Sequence, residues 1–277
     1  MSEILDIFGT APNPSAERIA NVKEILTRST AMPAVTTDKP VAQGSIKYHR
    51  DILQGSDAWL ECRRGILTAS EMKHVITPSL KIADNDKCRA HVWEIAAQRI
   101  TGHVEPSYIS DDMLRGMDDE IEARNLYAKH YEPVEEVGFV TNSKWGFTIG
   151  ASPDGIVGDD GGIEIKSRRQ KFQIQTLVEN VTEETIPADY VIQVQTCLLV
   201  TERKWWDFIS YSGGLEMPAI RVYPNPVIHA AIIAAATAFE AKVQEKVDAY
   251  HAVKKTKARL IPTERRVEQE IMLSYGD

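Results

Sequence analysis

The residues best suited to chemistry sit in one short stretch: Ser152-Pro153-Asp154-Gly155, an Asp- and Gly-rich turn, then Gly162-Ile163-Glu164-Ile165-Lys166. Ile163 and Ile165 alternate with Glu164 and Lys166, so on a strand the polar pair leaves one face while the isoleucines enter the core. A hairpin bringing Asp154 beside Glu164 would join two hard oxygen ligands, the arrangement that holds Mg²⁺ or Mn²⁺, with an ammonium close by. Phosphodiester hydrolysis needs such a set: a metal to neutralise the phosphate and acidify a water, and a positive group to orient that water. Lys166 fits the last role. The rival reading is an exposed strand face and an ordinary turn aspartate. A calcium loop fails on spacing, because its glutamate belongs at position 12 of the loop and its oxygen ligands alternate from position 1.

Other residues could serve the same site. Asp118, Asp119, Glu120 and Glu122 lie on a helix-like segment just upstream, from which one could reach the metals; a solvated acidic face is the alternative. Tyr190, Gln193 and Cys197 recur at i, i+3 and i+7 on another helix, which turns one polar side towards a site or merely packs. Arg63 and Arg64 are natural phosphate forks, and Thr68-Ala69-Ser70 adds hydroxyls and a helix-start signal. Ser167-Arg168-Arg169-Gln170-Lys171 is a basic cluster in an acidic chain, the local reversal that a nuclease groove needs.

These groups need a scaffold, and the chain can supply one. Its 277 residues are 43% hydrophobic and 26% charged, enough for one sizeable core. Its net charge of −8 argues against coating nucleic acid by bulk attraction. Cys62, Cys88 and Cys197 show no CxxC pairing, so neither a disulfide framework nor structural zinc is expected, and a reducing cytoplasm is the expected home. The start lacks the layout of a secretory signal, and Val227 to Phe239 falls short of a bilayer span, so no membrane partner is expected.

Residues 1–45 are rich in Pro, Ser and Thr around one amphipathic piece, Ala16 to Thr27, and read as a loosely attached extension. Residues 46–255 form the main domain and 256–277 a tail. Helices are expected near Lys87 to Ile100, Asp111 to His130, Phe172 to Asn180, Ala188 to Val200 and Pro226 to Lys255. The second should bury a stripe of Met113, Leu114, Met117, Ile121 and Leu126. Strands are expected at Val134 to Thr141, Gly146 to Ala151, Gly162 to Lys166, Trp205 to Tyr211 and Ala219 to Tyr223. That order predicts an α/β (α+β) fold with one central mixed sheet flanked by helices.

The run Trp59 to Glu71, the Gly116 to Glu120 helix, SPDG, GIEIK and Tyr190 to Gln195 resemble, in order and spacing, the lambda exonuclease family, or YqaJ-type viral recombinases, of the PD-(D/E)xK nuclease superfamily. The resemblance spans about Tyr48 to Tyr223 and implies a restriction-endonuclease-like core. It further implies a Mg²⁺-dependent 5′→3′ exonuclease on duplex DNA ends, with Mn²⁺ as a substitute and two ions per site. The 3′ overhang would pass to a single-strand annealing protein, and three subunits would close a ring around DNA. Carried over, Asp154, Glu164 and the Ile165 carbonyl bind metal, and Lys166 positions water. Glu120 supports the second ion, while Gln193 and Tyr190 stand at the site. Arg63 receives a 5′ phosphate with Ser70 nearby. Arg168 and Arg169 are expected DNA contacts on the charge argument above. An endonuclease or nickase on the same core, or a non-catalytic DNA-end binding protein, are the alternatives.

Overall fold

The computed structural model describes residues 46–105, 110–256 and 258–265; the extension, with its amphipathic piece, and most of the tail lie outside them. Eight strands form two four-stranded mixed sheets. The first has the order β1 (Ile46–His49), β3 (Phe139–Asn142), β4 (Ile149–Ala151), β2 (Leu67–Thr68); the second runs β5 (Gly155–Val157), β6 (Gly161–Ser167), β7 (Trp205–Tyr211), β8 (Ala219–Val222). The expected mixed sheet flanked by helices is thus met by two sheets rather than one. The break falls at Ser152-Pro153-Asp154, between β4 and β5, where a proline has no N–H to extend a ladder.

Six helices surround the sheets: α1 (Asp57–Arg63), α2 (Asp86–Thr101), α3 (Asp111–His130), α4 (Gln170–Thr176), α5 (Ala188–Thr201) and α6 (Pro226–Lys254). Ser56, Asn85, Ser110 and Asn225 accept main-chain N–H groups in the first turns of α1, α2, α3 and α6, fixing where those helices begin. Pro226 opens α6, where its missing donor costs nothing. Helix α4 is shorter than expected and passes into a π turn at Leu177–Val181.

Helix α6 is long and apolar enough to cross a membrane by composition alone. Ile228, Ile232, Phe239 and Val243 are nevertheless fully buried along one face, in the core that α2 and α5 also line. Arg99 on α2 reaches Glu240 on α6 through a two-pronged ion pair of 2.6 and 2.8 Å. That is the position of a core helix.

The larger core fills the space between the first sheet, α2, α5 and α6; a smaller one joins Ala123 and Tyr127 of α3 to Ile163 and Ile165 of β6. Among the described α3 side chains only those two are buried. Met113, Leu114, Met117 and Ile121 are each about half exposed, so the stripe expected to enter the core lies outside it. The reason is competition for one helix: the face that carries Asp119, Glu120 and Ala123 is the one turned to the sheet.

Strand β6 is central to its sheet, antiparallel to β5 and parallel to β7 over Gly161–Ser167. Its alternation is as expected. Ile163 and Ile165 enter the smaller core, and Glu164, 1% exposed, points the other way towards α5.

Candidate active site

Burying an unpartnered carboxylate costs several kcal/mol, so Glu164 requires donors. Lys166 Nζ lies 2.5 Å from Glu164 Oε1, and Gln193 Nε2 donates to the same oxygen at 2.5 Å. Cys197 Sγ stands 4.0 Å from the other oxygen. Asp154 enters from the break between the sheets, where its Oδ2 accepts the Ile165 N–H at 2.6 Å. The strand spacing read from the sequence therefore brings Asp154, Glu164 and Lys166 together, with the Ile165 main chain between them.

The electrostatics follow from burial. Glu164 is pushed up to about 8, by desolvation first and by the charge of Asp154 second, against the opposing pull of Lys166. Asp154 is also raised by burial, against Lys166 and the Ile165 N–H. Desolvation alone would lower the Lys166 ammonium; Glu164 and Asp154 hold it above its ordinary value, so it stays charged. Glu120 rises to about 7 through burial and the nearby charge of Asp154.

Among the described residues, no three His, Cys, Asp or Glu side chains form a ready-made metal cage. The groups that do converge are the carboxylates of Asp154 and Glu164, whose pKa values are raised by burial, a cost that a nearby dication would offset. This fits Mg²⁺ or Mn²⁺, which keep several waters and take only one or two carboxylates. Asp154, Glu164 and the Ile165 carbonyl would hold such an ion.

Glu120 reaches the site from α3, but its carboxylate is bound by Arg124. Arg124, missed in the sequence, also donates through Nε to the Asp154 main-chain oxygen at 2.8 Å and lies 3.1 Å from Glu136. The only signal was its i, i+4 spacing from Glu120. Of the other helix acids, Asp119 accepts the Ser167 hydroxyl at 2.5 Å, while Asp118 and Glu122 are exposed.

Tyr190 links two basic groups: its ring lies 5.6 Å from Lys166 Nζ, and its hydroxyl accepts from Arg168 Nη1 at 2.8 Å. Arg115, Asp119, Arg168, Arg169, Lys171 and Gly213 help line a cleft of about 500 Å³ just beyond the end of β6. Arg115 was not singled out in the sequence.

A second polar cluster abuts the Asp154 loop. Arg63 lies over the Trp59 ring at 4.2 Å, donates to Ser152 Oγ at 3.1 Å and to Thr68 Oγ1 at 3.4 Å. Ser70 Oγ is 3.3 Å from Thr68 Oγ1, and the Trp59 indole donates to Ser152 Oγ at 3.0 Å. Burial lowers the Arg63 pKa, with Glu71 opposing. Arg64 is not part of this cluster: it turns to the Gly102 carbonyl and to Glu61. Ser152, not singled out in the sequence, ties this cluster to the Asp154 loop. All three cysteines are free.

The model of the YqaJ-like viral recombinase domain matches residues 58–204, more than half of the chain, and those residues include Arg63, Ser70, Glu120, Asp154, Glu164, Lys166 and Gln193. No match was found among curated proteins. Two crystal structures of an alkaline exonuclease from Laribacter hongkongensis, one in complex with dAMP, are 29% and 30% identical. They superpose with a TM-score of 0.63, over 72% and 73% of this chain and 98% and 100% of theirs. A phage-related exonuclease from Haemophilus somnus is 13% identical, with a TM-score of 0.51 over 67% of this chain and 96% of its own, which speaks to the fold alone. The chain belongs to the YqaJ-like viral recombinase domain family.

Proposed function

We propose that this protein is a divalent-metal-dependent exonuclease that digests the 5′-terminated strand at double-stranded DNA ends and leaves a 3′ overhang for strand annealing. The observation that carries the reading is the convergence of Asp154, Glu164 and Lys166 around the Ile165 main chain. Identity of about 30% to a protein named as an alkaline exonuclease, over its whole length, supports it.

A bound Mg²⁺ would neutralise charge on the scissile phosphate and acidify a water beside it. The chain's own residues do the rest. Lys166, held charged, orients the water and balances the carboxylates, and it is too basic to act as the proton acceptor. Gln193 fixes the Glu164 carboxylate from α5, and Glu120, near enough to feel the charge of Asp154, would support a second ion. Arg63, pinned by Thr68 and Ser152 with Ser70 beside them, forms a small positive pocket suited to a terminal 5′ phosphate. Arg168, Arg169 and Tyr190 flank the path of the strand. With a net charge of −8 the protein gains little from bulk attraction to DNA, and a ring of three copies would hold the duplex by enclosure instead. A single-strand annealing protein would take the product.

The test is a linear duplex with the two strands differently labelled, with and without a 5′ phosphate, beside a closed circle. Mg²⁺-dependent release of the 5′-strand label, faster with the phosphate, with the circle spared, is expected. Cutting of the circle would favour an endonuclease or nickase on the same core. No release at any Mg²⁺ or Mn²⁺ concentration would leave a DNA-end binding protein.

A further inference from the structure

We propose that Glu71 is a positioning residue that acts through the Thr68 hydroxyl to hold Arg63 ready for a terminal phosphate. The inference rests on the phosphate-pocket reading above and deepens it.

The argument is a hydrogen-bond account. Thr68 Oγ1 is 2.6 Å from Glu71 Oε2, and an ionised carboxylate only accepts, so the single proton of the threonine hydroxyl is committed to Glu71. The same carboxylate oxygen takes the Thr68 N–H at 3.1 Å. With its proton spent, Thr68 Oγ1 meets its other two neighbours as an acceptor: Arg63 Nη2 at 3.4 Å and Ser70 Oγ at 3.3 Å. The Arg63 fork is thereby pinned between Thr68 and Ser152, and guanidinium donors remain for an anion. Ser70 gives its own proton to Thr68 Oγ1, so it steadies the threonine and leaves the anion to Arg63.

The Thr68-x-x-Glu71 spacing is also that of a capping box, which would be a purely structural use. Half of that motif is present, the Thr68 N–H bonding to Glu71 Oε2, but the other half differs. In a capping box the threonine oxygen accepts the N–H three residues on; here the Glu71 N–H goes to the Thr68 carbonyl at 3.1 Å, and the hydroxyl donates to the carboxylate instead. The hydroxyl is free of the cap and turned to Arg63. A carboxylate facing an anion pocket would otherwise repel its ligand; bound to both Thr68 donors and near the half-buried Arg63, Glu71 acts as a counter-ion to the guanidinium.

The test compares parent, Glu71→Ala, Glu71→Gln and Thr68→Val on a short duplex with and without a 5′ phosphate. It reads both the ratio of digestion rates and, by fluorescence anisotropy in Ca²⁺, the ratio of affinities. Glu71→Ala is expected to reduce both ratios by about tenfold, the scale of one charge-assisted hydrogen bond. Glu71→Gln, whose amide oxygen still accepts from Thr68, should keep the ratios within about twofold of the parent. Thr68→Val keeps the side chain's shape and should reproduce Glu71→Ala. A merely structural role slows both ends alike, so unchanged ratios in Glu71→Ala and Thr68→Val overturn the proposal while leaving the pocket standing. A parent indifferent to the end group, matched by Arg63→Ala, overturns the pocket itself and the role of Glu71 with it.

Discussion

Gln193 on α5 and Lys166 on β6 share one oxygen of Glu164, each 2.5 Å from Oε1. The shared atom makes the carboxylate's orientation depend on a helix that is distant in sequence. Gln193→Leu keeps the volume but leaves Lys166 as the sole close donor to that oxygen. Its turnover should fall by about a hundredfold, as losing a charge-assisted bond at a reacting centre implies, with little loss of thermal stability at this helix face. Single-turnover digestion of a linear duplex together with thermal unfolding checks both halves; a normal rate would remove Gln193 from the site.

The metal can be tested without any reaction. If Asp154, Glu164 and the Ile165 carbonyl hold the ion, millimolar Mg²⁺ should raise the unfolding temperature, because a ligand bound only by the folded state stabilises it by mass action. Asp154→Asn and Glu164→Gln remove a charged ligand each and should abolish that rise, and Mn²⁺ titration followed by electron paramagnetic resonance should show the loss of the tight site. Unaltered Mn²⁺ binding in both variants would place the metal elsewhere.

Gly138 shows how closely the scaffold is fitted around the Trp59–Arg63 cluster. A Cβ there would stand 1.9 Å from the Ile52 main-chain oxygen, while the Gly138 carbonyl accepts the Trp59 indole N–H at 3.1 Å. Backbone on both sides has nowhere to yield cheaply. Gly138→Ala is expected to destabilise the fold by about 3 kcal/mol, at the upper end for overpacking, and to displace Trp59 from beneath Arg63. Chemical denaturation measures the first effect and tryptophan fluorescence the second.

How much of this was legible in the sequence depends on the range of the interaction. The β6 alternation is local: two isoleucines and two charged residues with a period of two specify the buried face, and Glu164 and Lys166 do meet on the opposite one. The Tyr190–Gln193–Cys197 face is equally local, and it does meet Lys166 and Glu164. The α3 stripe misled because periodicity reports that a helix has an apolar side, not that the side is covered; Ala123 and Tyr127, smaller in number, mark the buried face. Arg124 and Ser152 went unseen because their partners, the Asp154 carbonyl and Arg63, are brought to them only by the tertiary fold. The division into two sheets was likewise invisible, since Pro153 reads as a turn whether it ends a sheet or only bends one.

His229, on the first turn of α6, gives a pH dependence whose sign is fixed. Burial lowers its pKa to about 4, against a main-chain hydrogen bond at Gln195, with Lys144 lowering it further, and its Nε2 is buried without a hydrogen-bond partner. Neutral imidazole is therefore the folded form. The unfolded chain takes up a proton near its ordinary value of 6.5 and the folded chain does not, so this contribution is full above 6.5 and is lost as pH falls towards 4. Its size is on the order of 3 kcal/mol. His229→Gln should flatten the stability profile between those limits, as read by urea unfolding at stepped pH; a parallel profile in parent and variant would deny His229 that role.

Lys166 separates catalysis from grip. Its ammonium touches Glu164 and lies over Tyr190, yet the side chain is a quarter exposed at the mouth of the site and none of its contacts is required by the core. Lys166→Ala should therefore leave the fold and most DNA affinity in place while removing turnover, since it deletes the group that orients water. It also leaves the Glu164 carboxylate with one fewer partner, so the variant should bind Mn²⁺ at least as tightly as the parent: a cation that competed for the same oxygen is gone. Lys166→Arg retains the charge but spreads it over a wider planar fork, and it should restore metal affinity to the parent level with little of the rate. Tight binding of duplex and metal with turnover down at least a hundredfold in Lys166→Ala is the expected pattern, on the scale of removing an oriented catalytic group. Digestion at the parent rate would mean that water is positioned by some other group, and the role given to β6 would have to be redrawn around Asp154 and Glu164 alone.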